Sequence, residues 1–109
     1  MTQDLTWRVV NAEQRAKRSP GTFQLPPLEA RRGLSLRDFA KVILAPIGQN
    51  AGERVWVEIA AVTGVGYIGV TRNKPVDKVL PKYDSPVSFG PEHIIDVHRR
   101  GEPWPAALT

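Results

Sequence analysis

A chain of 109 residues, 41% hydrophobic and 24% charged, has the size and composition of one modest globular domain. It holds no cysteine, which excludes disulfides, thiolate metal sites and thiol nucleophiles together. The net charge is +4; residues 1–41 carry eight basic and four acidic side chains and residues 42–109 seven of each, so any acidic partner is expected on the N-terminal part.

No apolar run is long enough to cross a bilayer, and the start MTQDLTWRVV lacks the basic-then-apolar pattern of a secretory signal. The expectation is a cytoplasmic protein without membrane contact. Ten prolines and nine glycines favour short strands and frequent turns over long helices.

Residues 1–10 read as an N-terminal extension to a single domain over 11–98. Asn11 followed by AEQ has the form of a helix N-cap with Gln14 three residues on, and Ser19-Pro20-Gly21 stops that helix. A helix of about two turns is too short to stand without packing. Leu25-Pro26-Pro27 is extended, and Pro27 opens a helical turn that closes at Gly33. The period then changes. Residues 39–44 (FAKVIL), 54–62 (RVWVEIAAV), 66–72 (GYIGVTR), 86–89 (PVSF) and 94–98 (IIDVH) are short, β-rich and bounded by turn residues. In the second of these, Val55, Val57, Ile59 and Ala61 form the core face and Trp56 lies opposite. Gly64-Val65-Gly66 joins the second and third as an antiparallel hairpin. Five short strands without a long crossover helix exclude a parallel α/β sheet. The expected fold is α+β: a small curled antiparallel sheet, an SH3-like partial barrel, with short N-terminal helices against it. Residues 99–109 form a tail in which Trp104 stands between two prolines, able to dock on its own sheet, a second copy or a partner, or to stay disordered.

Several pieces follow one another in a familiar order: Ser19-Pro20-Gly21-Thr22-Phe23, Leu25-Pro26, LSLRDFAKVIL, ERVWVEI, GYIGVTRNKPV and VSFGPEHIIDV. From about Asn11 to Val97 the chain resembles the uncharacterised bacterial family catalogued as domain of unknown function 2314. The resemblance implies a fold and no activity. Where that family tends to have Gly-Asp before a strand, this chain has Arg37-Asp38 and Tyr83-Asp84. Where it often has Asn-Asp-Pro, Asn73-Lys74-Pro75 puts a base in place of an acid.

Five candidate sites stand out. Glu92, His93, Asp96 and His98 lie within seven residues, a grouping that suits a ligand pocket or an acid–base pair. Their spacing is not that of a zinc hydrolase, so no metal or cofactor is expected; the plain alternative is that His93 hydrogen-bonds a turn backbone. The serines offer no Gly-x-Ser-x-Gly elbow, and Ser19 and Ser85 precede prolines as turn residues do. Trp56, Tyr67 and Phe89, with Tyr83, read as an aromatic sheet face, and Asn73 offers a side-chain amide to a partner's backbone. The alternative for Trp56 is burial under the helix at 11–18. Arg15, Arg18, Arg31 and Arg32 are placed to meet phosphates if the partner is a nucleic acid, against the plainer reading of a solvated basic face. Trp104 is the fifth. The first expectation is therefore a non-catalytic module that binds a protein partner through Trp56, Tyr67, Asn73 and Phe89. The alternatives are a nucleic-acid-associated module using the basic front, and an enzyme or small-ligand binder using Glu92, His93 and Asp96.

Overall fold

The computed structural model describes residues 6–49 and 51–104. In chain order these form β1 (Trp7–Val9), α1 (Ala12–Arg18), α2 (Leu28–Arg32), β2 (Phe39–Pro46), β3 (Glu53–Val62), β4 (Tyr67–Thr71), β5 (Pro86–Phe89), a 3-10 turn (Pro91–His93) and β6 (Asp96–His98). All pairings are antiparallel and run β1-β2-β3-β4-β5, with β6 added to β2. β1 pairs with residues 44–46 of β2 and β6 with residues 39–41, so the two short strands share one edge of β2 end to end.

That arrangement curls the sheet. β5 lies at the far end of the path, yet residues 90–95 alone carry the chain from β5 to β6 on the opposite side. Six residues span at most about 20 Å, so the sheet must bend back on itself. A β-bulge at Ala60, between the pairs Ile59↔Gly69 and Ala61↔Ile68, adds to the twist. The result is a nearly closed antiparallel barrel-like sheet with two short helices, a small α+β fold of the SH3-like kind.

The inside of the barrel follows from alternation along the strands. Val42 and Leu44 of β2 and Val55, Val57 and Ile59 of β3 point inward, where they meet Tyr67, Val87, Phe89, Leu80 and Ile94. Gly69 belongs to this layer because a Cβ there would press on the Phe89 ring and on Val57. A second layer lies outside the sheet: Ile43, Ala45 and Val10 are covered by Phe23 and Ile95. Because β2 is buried on both faces at this end, its sequence reads as a continuous apolar run.

Among the predicted elements, α1 begins as expected, with Asn11 Oδ1 accepting from Gln14 N at 3.0 Å. The Gly64-Val65-Gly66 hairpin joins β3 to β4. Two placements differ. Residues 7–9, assigned to an extension, are an edge strand of the sheet, and residues 1–5 of that extension lie outside the described residues. Pro27 precedes α2 as its cap rather than opening it.

Candidate functional site

The outer face of the sheet carries the most distinctive side-chain cluster. Phe39 of β2 pairs in register with His98 of β6, and Lys41 pairs with both Trp56 of β3 and Asp96 of β6. Directly paired residues point to the same face, so Phe39, Lys41, Trp56 and His98 stand together on the side away from the barrel core. Into this group the chain folds its own C-terminal segment. Arg99–Glu102 is a tight turn closed by the Glu102 N–H donating to Arg99 O at 3.1 Å, with Gly101 at φ 88. Positive φ at the third position of a turn is what glycine supplies without strain. Glu102 Oε1 accepts from Arg99 N, and Arg100 N donates to the buried carboxylate of Asp38 at 2.8 Å. Pro103 then leads Trp104 back over the sheet.

The Trp104 indole lies flat on the His98 ring, with centroids 3.6 Å apart and planes 13° from parallel. It meets Trp56 edge-on at 5.0 Å and Phe39 at 5.1 Å. The Lys41 ammonium sits 4.9 Å from the Trp56 ring, a cation–π contact. These residues form an aromatic slot on three strands that Trp104 fills. The slot's own wall is covered, Trp56 being 9% exposed, while Trp104 remains 38% exposed. The fit holds Trp104 in place without sealing it. His98 also makes a 2.9 Å ring-nitrogen hydrogen bond with Glu102 O, which fixes its plane for stacking.

This placement corrects the expected aromatic face. Trp56 is on the outer side, as the alternation implies, but Trp104 covers it, not the helix at 11–18. Tyr67 and Phe89 are 3% and 5% exposed and fill the barrel interior, where they pair directly across β4 and β5. Neither lends contact area to an outer face. The Tyr67 hydroxyl donates to Arg31 O at 2.7 Å and accepts from Leu34 N at 3.3 Å. Asn73 is exposed, yet its Oδ1 accepts from Trp56 N at 2.6 Å, so its carbonyl pins the loop to β3.

The four front arginines do not form one surface. Arg31 is 7% exposed and spends its guanidinium on Pro26 O, Pro91 O and the Glu13 carboxylate, at 2.9, 2.9 and 2.8 Å. It ties α1, the 25–27 segment and the 3-10 turn together, and phosphate cannot reach it. Arg32 is exposed beside the β3–β4 turn. Arg15 and Arg18 line a surface cavity with Arg8, a residue outside the expected set of four. Arg15 also lies over the Phe23 ring at 5.8 Å.

His93 and Asp96 make no hydrogen bond or ion pair with each other. His93 Nδ1 accepts from Gly90 N at 2.9 Å across the 3-10 turn. Asp96 is exposed, and its Oδ1 accepts from Val97 N. Among the described residues, no three His, Asp or Glu side chains stand together as a metal site. Burial holds the His93 imidazole below its ordinary value of 6.5, against the opposing pull of the Glu92 and Glu13 carboxylates. A depressed folded-state value means that neutral His93 favours the fold. Its contribution is complete above the unfolded value and is lost as pH falls through the folded one. Lowering the pH from about 7.5 to about 5 should therefore reduce the thermal midpoint of the unaltered chain more than that of the His93→Gln chain. Equal reductions would remove His93 from the account.

No family model, curated protein or solved structure matches the chain. Among the described residues, no helix is long and apolar enough to cross a membrane.

Proposed function

We propose that this chain is a non-catalytic binding module for a protein partner, and that the slot formed by Phe39, Trp56, His98 and Lys41 receives an aromatic side chain of that partner. The observation that carries the reading is the occupant already there: Trp104, delivered by the turn at 99–102 and stacked on His98 at 3.6 Å. An aromatic side chain on a stiff, proline-bounded segment binds at low entropic cost. The chain's own Pro103-Trp104 has that form, and Pro105, outside the described residues, completes it. The module's ligand is accordingly an extended segment with a tryptophan next to proline. A partner carrying such a segment competes with the tail for one site. The test is to titrate the Trp104→Ala chain with a peptide of residues 102–109. Saturable perturbation of the Trp56 and His98 resonances is expected, and perturbation confined to other faces would refute the reading.

The Arg8, Arg15 and Arg18 cavity favours a second reading, in which this face meets nucleic-acid phosphates without Arg31. Such binding weakens steeply with added salt, whereas an aromatic slot is far less sensitive.

A further inference from the structure

Residues 72–85, between β4 and β5, make a connection several times longer than a hairpin needs. Long loops of this kind earn their place either by disorder or by function. This one contains neither helix nor strand, yet its backbone is pinned along its whole length. Asn73 Oδ1 holds Trp56 N, and the Glu53 carboxylate accepts from Val76 N and Asp77 N at 2.8 and 2.7 Å. The buried Thr71 hydroxyl donates to Lys82 O and accepts from Ser85 N. Leu80 is driven into the barrel core. The loop is a preformed structure on a rigid scaffold.

Beneath it lies a cavity of about 380 Å³, within the range of small-ligand sites. Leu80, Pro75 and Tyr83 give it an apolar lining, and Lys74, Lys78 and Lys82 stand around it with a single carboxylate, Asp77. None of these lysines makes an ion pair with a described carboxylate. Glu58 and Asp84 both bind the Arg72 guanidinium, at 3.0 and 2.6 Å, and raise its pKa. Asp77 Oδ1 accepts from Val79 N. Three ammonium groups against the one carboxylate of Asp77 leave the cavity net positive, and a dianion between the lysines offsets that charge. Ammonium groups are compact point charges that suit phosphate; planar bidentate pairing with a carboxylate is the role of guanidinium.

We propose that this cavity binds a small phosphate monoester whose body is flat and apolar, with its phosphate between Lys74, Lys78 and Lys82 and its body against Tyr83, Pro75 and Leu80. The Arg72 guanidinium lies 5.7 Å from the Tyr83 ring and steadies the wall against which that body rests. The site is separate from the Trp56 slot and does not depend on the reading of that slot.

The full chain titrated with phenyl phosphate, inorganic phosphate and phenol tests this. Phenyl phosphate should saturate the Leu80 and Tyr83 resonances and bind at least about tenfold more tightly than either fragment. The Lys74→Gln/Lys78→Gln/Lys82→Gln chain should lose that binding by at least about tenfold, with an unchanged circular dichroism spectrum because all three side chains are exposed. Tyr83→Ala should erase the preference for phenyl phosphate over inorganic phosphate. No saturation by about 10 mM, or equal binding in the triple variant, overturns the proposal. So does tighter binding of a phosphotyrosine peptide than of the free ester, which would assign the site to a phosphorylated side chain.

Discussion

Arg31→Met is expected to lower the stability of the fold by about 2–3 kcal/mol, while Arg32→Met changes it by no more than about 0.5 kcal/mol. The two residues are adjacent and chemically identical, so the contrast isolates environment. Methionine keeps most of the Arg31 stem and removes only the guanidinium, leaving Pro26 O and Pro91 O without their donor. Glu13 contributes less to the loss because it is partly exposed and can return to water. A domain of this size has a total stability of roughly 5–15 kcal/mol, so the loss is a large share of it. Chemical denaturation of the two variants side by side checks this. Equal midpoints would mean that the guanidinium does not join α1 to the 3-10 turn.

The second large effect concerns the slot. Trp56→Ala should cost about 3 kcal/mol, at the lower end for a buried tryptophan because the ring lies on the outer layer. Trp104→Ala should cost about 1 kcal/mol, since its ring stays partly exposed and contributes mainly through edge and stacking contacts. In a double-mutant cycle the two should couple by about 1 kcal/mol. Independent effects would mean that Trp104 does not occupy the slot in solution. His98→Ala serves as a third corner, because it removes the stacking surface without touching the barrel core.

How far the sequence reached depends on whether the deciding interaction was local. The α1 start needed only Asn11 and Gln14, the hairpin only Gly64-Val65-Gly66, and the core face of β3 only the alternation of Val55, Val57 and Ile59. β1 was missed because three residues gain strand character solely from partners at 44–46. Tyr67 was misplaced although a signal existed. Tyr67, Gly69 and Thr71 share the inward face of β4, and Gly69 between them leaves room for the Phe89 ring, which marks that face as the packed one. Arg31 offered no signal, since a charge reads as exposed until its carbonyl partners are known, and Pro91 lies sixty residues away. For Trp56 the outward direction was legible and the covering residue was not. Gly101 and Pro103 announce a turn, but where the turn lands Trp104 depends on the curl of the whole sheet.

The central claim is that the slot is a receptor for a proline-flanked tryptophan and that the chain's own tail competes for it. The measurement that addresses this most directly is calorimetric titration of a peptide of residues 102–109 into the unaltered chain and into the Trp104→Ala chain. One anchoring aromatic supports a dissociation constant on the order of 0.1–1 mM, and a tethered competitor at millimolar effective concentration weakens it further. The account predicts measurable binding to Trp104→Ala and roughly two- to tenfold weaker binding to the unaltered chain. Equal affinities, or no binding to Trp104→Ala at millimolar peptide, would contradict it and leave Trp104 as a structural clasp alone.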